Sequence, residues 1–252
     1  MSFPGASLAV VARIDFDIIY GTDLVYVPGC WQLCGDAHCC SFSRHKSRFK
    51  LLGRAPGQEL PLLPGEHEYL KRNGYLDQFQ DHKYRAVPFR FGNREIVIET
   101  IFSRRQGCAC DHSARTTICR LYPILPVFDL DGRLVGVDRV GIYDQLEDLD
   151  GQERICKVDT FPVSELEKLL IVTREIAREP RALFYISAFK LALDYVRERL
   201  VMLKGEQTAS YFQVFENSVV RNLLIEQDVL ADKLNALADA FEARYELEFK
   251  LP

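Results

Sequence analysis

The chain has 252 residues, 48% of them hydrophobic and 27% charged, and 32 Lys and Arg against 36 Asp and Glu give a formal net charge of -4. Those proportions describe a globular protein of one large or two small domains, and the acidic balance argues against nucleic acid, whose partners carry a basic surplus. No apolar run approaches the roughly 20 residues needed to span a bilayer, and Met1 to Ser7 lacks the basic start and apolar core of a signal peptide, so the sequence reads as cytoplasmic, with no membrane partner.

In chain order, Leu8 to Val11 and Ile14 to Tyr20 read as short strands, the latter because Asp15 and Asp17 alternate with Ile14, Phe16 and Ile18. Pro28, Gly29 and Gly35 set a loop, and Leu60 to Gly65 a turn. Glu66 to Arg72 is a short helix stopped at Asn73-Gly74. Arg94 to Phe102 is a strand. Val127 to Leu130 and Leu134 to Val137 flank an Asp131-Gly132 turn and read as a hairpin. Asp129 and Asp131 resemble the opening of a calcium loop, but Val140 stands where such a loop needs its glutamate, and the hairpin accounts for them. Asp144 to Asp150 reads as a solvated acidic loop. Beyond Pro162, Ser164 and Glu167 form a capping-box pattern, followed by Leu166, Leu169, Leu170 and Thr173 at helical spacing. Pro180 interrupts, and a second helix runs from Ala182 to Lys204 and closes at Gly205. A third helical stretch is expected from Thr208 to Glu248, with Phe212, Phe215, Val219, Leu223, Leu230, Leu234, Leu237 and Phe241 on one face. The fold class is therefore α+β: residues 1–160 form an irregular, cysteine-rich metal-binding half with short antiparallel strands, and residues 161–252 a helical half packed on it.

Chemistry is concentrated in the cysteines. There are eight, and seven lie in two groups about 70 residues apart: Cys30, Cys34, Cys39 and Cys40, then Cys108, Cys110 and Cys119. A chain of this length buries enough apolar surface to fold without disulfides, and a cytosolic compartment keeps thiols reduced, so metal is the expected use. Ligands a few residues apart let one loop wrap an ion, and Gly35 permits the tight path. Zinc is satisfied by four ligands, which seven cysteines exceed; an all-thiolate set also suits an iron–sulfur cluster of the 4Fe–4S type, one or two of them. Iron–sulfur is the reading adopted and zinc the alternative. His112, between Cys110 and Cys119, completes the candidate metal ligands, with His38 a further imidazole beside Cys39. Trp31 sits inside the first group, where it either shields a metal from water or simply packs. Cys156 stands alone and reads as a core thiol. Arg44, Lys46, Arg115 and Arg120 would offset the negative charge of thiolates. Glu66, Glu68 and Glu99 are the nearest carboxylates, candidates for a general base or cation site, although solvated helix and strand faces are the plainer reading. The chain carries no phosphate-binding loop, dinucleotide fingerprint, serine nucleophile elbow or radical S-adenosylmethionine spacing.

Cys30, Cys34, Cys39 and Cys40, followed by Cys110, Arg115, Cys119, Arg120, Tyr122 and Pro123, resemble the two motifs of the YkgJ-like cysteine-cluster proteins, a zinc- or iron-chelating family that includes flagellin lysine N-methylase. Leu63-Pro64-Gly65-Glu66 is similar to the start of that family's connecting helix. The resemblance spans about residues 28 to 128. The first motif is stretched here, with three and four residues between cysteines instead of two and two, and Thr116 follows Arg115 where the family has proline. The resemblance implies cluster-assisted group transfer on a protein or peptide substrate. The other function class open to this sequence is a non-enzymatic, zinc-stapled structural or interaction module.

Overall fold

The computed structural model describes residues 13–26, 49, 52, 58–79, 82–103, 111–152 and 162–249. The expected strand Leu8 to Val11 lies outside them. Ile14 to Tyr20 is where expectation and structure part. Phe16–Gly21 is a helix, α1. The Asp15 carboxylate accepts the amides of Asp17 (3.1 Å) and Ile18 (3.4 Å), capping the free N–H groups of the first turn. Burial follows the helical spacing, with Phe16 and Ile19 inside and Ile18 outside, so the alternation of acids and apolar residues is incidental.

Strand β1 (Gln58–Pro61) leads to helix α2 (Glu66–Arg72), which ends at Asn73-Gly74 as the sequence indicates. β2 (His82–Phe91) and β3 (Arg94–Ser103) form a long hairpin across Gly92-Asn93, and the antiparallel sheet runs in the order β1-β3-β2. β3 is the expected strand; β2 was not anticipated. Helix α3 (Thr117–Leu121) carries the end of the second cysteine motif. β4 (Ile124–Phe128) and β5 (Leu134–Arg139) make the expected hairpin, its turn held by Asp129 Oδ1, which accepts from the amides of Asp131 and Arg133 at 2.9 Å each. The acidic stretch after it is a helix rather than a solvated loop: α4 (Ile142–Leu149) buries Asp144 and Glu147, and the Tyr122 hydroxyl donates to Asp144 at 2.8 Å.

The C-terminal half is helical. α5 (Val163–Ala177) starts at Pro162 without a side-chain cap, so Ser164 lies inside the first turn and no capping box forms there. Its buried stripe is Leu169, Val172, Thr173 and Ile176, while Leu166 and Leu170 are exposed. Pro180 opens α6 (Pro180–Lys204) rather than interrupting a helix, occupying the first turn where its missing N–H costs nothing. The third stretch is two helices, α7 (Tyr211–Val220) and α8 (Gln227–Tyr245). α7 begins with a true capping box, Ser210 with Gln213, and ends where Asn222 takes a left-handed conformation at φ 57°. The break turns Val219 and Leu223, expected on the apolar face, toward solvent.

Core packing draws on both sides of residue 160. Ile14, Phe16, Ile19, Leu63, Leu121 and Leu125 bury with Leu169, Val172 and Ile176 of α5, and Phe91 of β2 buries with Phe184, Phe241 and Phe249. Among the described residues no helix is long and apolar enough to cross a membrane.

Candidate metal centre

The second cysteine motif is held by a buried polar frame. Residues His112–Ala114 form one turn of 3₁₀ helix, and Thr116 then caps α3 by accepting the Cys119 amide on its hydroxyl at 3.4 Å. Glu66, the first residue of α2, is fully buried. Its Oε1 accepts three hydrogen bonds, from the Tyr20 hydroxyl (2.8 Å), the Thr117 amide (2.5 Å) and the Thr117 hydroxyl (2.7 Å). Its Oε2 accepts a fourth, from the Leu63 amide at 2.9 Å. One carboxylate thus joins the start of α2, the start of α3 and the end of α1. Gly65, at φ 82°, supplies the left-handed step that turns the chain into α2 with Glu66 facing inward.

Arg120 performs the matching task with donors. It is 2% exposed and gives hydrogen bonds to the carbonyls of Arg115 (3.0 Å) and Ser113 (2.5 Å), while its guanidinium lies 4.4 Å from the centre of the Tyr20 ring. Arg115 binds the carbonyl of His112 at 3.0 Å, and its Nη2 lies 3.7 Å from Asp23, whose Oδ1 is also 3.4 Å from His112 Nε2. Segments 22–24, 63–66 and 112–120 are therefore fixed to one another by side chains and not by sheet pairing.

Burial pushes the Glu66 carboxyl above the usual carboxylate range, outweighing the four donors that pull it down. Burial raises the Tyr20 hydroxyl as well, and the adjacent Glu66 adds to the rise. His112 is lowered by burial and by Arg115, against the opposing pull of Asp23. A lowered value keeps its imidazole neutral near pH 7, the form in which histidine donates to a metal.

Cys119 sits on α3, half-buried, against the Leu60, Leu62, Leu70 and Ile101 cluster. Cys30, Cys34, Cys39, Cys40, Cys108 and Cys110 lie outside the described residues, as do Cys156, Trp31, His38, Arg44 and Lys46. Among the described residues no group of three or more His, Cys, Asp or Glu is arranged to hold a metal ion. The described donors fit the expected chemistry in kind: a thiol and a neutral imidazole on one segment, which also carries Arg115 and Arg120.

No family model, curated protein or solved structure matches this chain. Glu68 is exposed, as a solvated helix face predicts, and Glu99 accepts the Tyr84 hydroxyl at 2.9 Å on β3. Tyr20 and Thr117 were not singled out from the sequence, since nothing local marks a tyrosine or threonine as the partner of a distant buried acid. Glu66 carried one signal, its place after Leu63-Pro64-Gly65.

An open cleft of about 960 Å³ lies beyond Phe16 and Tyr69, between the start of α2 and the start of α6. Arg13, Arg72, Arg178 and Arg181 face Asp15, Asp17, Glu68 and Glu179 around it, so its charges balance. The Tyr69 ring lies tilted against Tyr20, centres 4.8 Å apart, one ring away from the Glu66 frame.

Arg120→Lys is expected to destabilise the protein by about 2 kcal/mol, because one ammonium group cannot replace a guanidinium fork spanning the carbonyls of Thr22, Ser113 and Arg115. Urea denaturation of the two proteins measures the difference.

Proposed function

We propose that the chain is a metal protein of the YkgJ-like type, with a centre built by Cys30, Cys34, Cys39, Cys40, Cys108, Cys110 and Cys119 together with His112, and that the metal is an iron–sulfur cluster of the 4Fe–4S type serving group transfer on a protein or peptide substrate. The observation that carries this reading is the Glu66–Arg120 frame. Two buried polar side chains, the Glu66 carboxyl and the Arg120 guanidinium, are expensive to desolvate, and here both are spent on holding the segment of Cys119, Arg115 and His112 in one place. Such investment suits a site whose donors must be positioned, and the guanidinium groups offset the charge that thiolates bring. When bound, an iron–sulfur centre with an open iron position would supply Lewis acidity. The chain's own contribution is a rigid α3, a neutral imidazole and a local cationic field.

A second reading rests on the packing of Cys119 against Leu60, Leu62, Leu70 and Ile101. In that reading zinc staples the cysteine segments onto the sheet and the protein is a non-enzymatic structural or interaction module. Anaerobic isolation with iron, sulfide and zinc analysis, absorption and Mössbauer spectra separates the two. The iron–sulfur reading expects a brown protein with a charge-transfer absorption that Cys119→Ser diminishes while the fold survives. A colourless protein with stoichiometric zinc, which unfolds on chelation, would replace it with the second reading.

A further inference from the structure

Among the described residues, no strand pairs with the outer side of β2. β2 is the outer strand of the order β1-β3-β2. On β3 the Glu99 carbonyl accepts from the Leu62 amide and the Glu95 amide donates to the Phe249 carbonyl, both at 2.9 Å. Odd-numbered residues of β3 therefore turn their backbone away from β2, and even-numbered ones turn toward it. The register pairs Arg85 with Thr100, Val87 with Ile98 and Phe89 with Ile96, which places those β2 residues in the ladder. Tyr84, Ala86, Pro88 and Arg90 consequently face outward, and Pro88, which has no N–H to offer, sits where an edge strand tolerates it.

The side chains around that edge are as open as the backbone. Residues 83–90 are exposed on both faces, with Val87 at 48%, Phe89 at 37% and Val97 at 51%. The hairpin is nevertheless anchored firmly at its root, where Arg94 donates to Glu242 Oε2 at 2.6 Å and to Asn235 Oδ1 at 3.0 Å on α8, and Phe91 is buried against Phe184. An ordered ten-residue edge bearing exposed apolar residues is a template for strand addition, which proteins usually blunt or use.

Charge selects the occupant. β2 carries His82, Lys83, Arg85 and Arg90 and no acid. The ion pair of Arg85 with Glu59 (3.4 Å) is exposed and weak, and that of Arg90 with Glu95 (2.8 Å) is exposed on its arginine side. A second copy adding antiparallel about Ala86 would set Arg85 of each copy opposite Val87 and diagonal to the other Arg85, gathering like charge with no acid on either strand to offset it. An incoming strand with alternating acids meets the opposite situation. We propose that the outer edge of β2 docks an extended acidic segment of a partner protein as a fourth strand of the sheet, bonded to the backbone of Tyr84, Ala86 and Arg90. This does not depend on the metal centre proposed above.

The test uses the full chain and two fluorescein-labelled, end-blocked heptapeptides, one alternating Glu and Val, the other Lys and Val, read by fluorescence anisotropy. The acidic peptide should bind saturably, at least about tenfold more tightly than the basic one, and weaken in high salt. Ala86→Pro removes an outward N–H without touching the β3 ladder and should weaken binding about tenfold with an unchanged circular dichroism spectrum. Should that variant misfold, Lys83→Glu serves instead, with the same direction expected, and amide exchange of Tyr84, Ala86 and Arg90 should slow on adding the acidic peptide to the parent protein. Equal binding of both peptides, no binding of either, or insensitivity to these variants would overturn the proposal. So would a concentration-dependent dimer that Ala86→Pro dissociates, or an RNA oligonucleotide that displaces the peptide.

Discussion

Glu66→Leu should destabilise the protein by about 3–5 kcal/mol, as measured by urea denaturation. Leucine matches the carboxylate in bulk but accepts nothing, so the hydroxyl of Tyr20, both donors of Thr117 and the Leu63 amide lose their acceptor together. A buried donor left unpaired costs about 1–3 kcal/mol, and four do not add in full because Tyr20 and Thr117 can re-aim their hydroxyls. The two backbone amides cannot. Glu66→Gln is the sharper comparison. Its oxygen can replace Oε1, but an amide nitrogen accepts no hydrogen bond, so only the Leu63 contact is lost and the cost should fall to about 1–2 kcal/mol. The same pair separates packing from charge in the pH dependence. Because burial raises the Glu66 carboxyl in the folded state, the native protein retains a proton that the unfolded chain has released. The Glu66 contribution is then complete below the unfolded value and is lost as pH rises through the folded one. Glutamine does not titrate, so the falling limb should flatten in Glu66→Gln; a limb of unchanged slope would assign it to other groups.

Signals that act within a few residues were legible in the sequence, and those acting across the chain were not. The Asp131-Gly132 hairpin could be read because Asp129 serves amides two and four positions on, and the end of α2 because Asn73-Gly74 stops a helix locally. Ser210 and Gln213 carry the same kind of signal, and with Asn222 they divide into two helices what apolar spacing alone reads as one. Ile14 to Tyr20 misled because alternation over seven residues is also what a capped amphipathic turn presents when Asp15 is the cap. β2 escaped because Pro88 and a run of basic residues do not look like a strand until its edge position is known. At the candidate centre the residue types could be read but not the frame. Glu66 binds Tyr20 and Thr117 across separations of 46 and 51 residues, and only the packed fold makes such a carboxylate a brace rather than a solvated helix face.

Phe184→Ala should cost about 3–5 kcal/mol, the range for emptying a buried aromatic site whose surroundings cannot collapse. Phe184 is 1% exposed on α6, with its ring 4.2 Å from Phe249, 5.3 Å from Phe241 and 6.4 Å from Phe91. These neighbours belong to different parts of the chain: Phe91 ends β2, Phe241 lies on α8 and Phe249 follows it. Collapse is resisted because each is tied independently. Phe249 is held through its carbonyl to the Glu95 amide and through its own amide to Glu242, and Glu242 in turn holds Arg94 at the root of the hairpin. A void here should therefore loosen the hairpin root as well as the helices. The measurable consequence is one denaturant transition, shifted as a whole, whether followed by helical circular dichroism or by the exchange of β2 amides. Two transitions, with the helices unfolding first and the sheet later, would mean that the halves on either side of residue 160 are energetically separate despite sharing this aromatic cluster. Coupling can be measured directly in a double-mutant cycle with Phe249→Ala, where an interaction energy of about 1 kcal/mol is expected for rings in contact. A value near zero would show that Phe184 works through α8 alone and that the hairpin, with its open edge, is carried by Arg94.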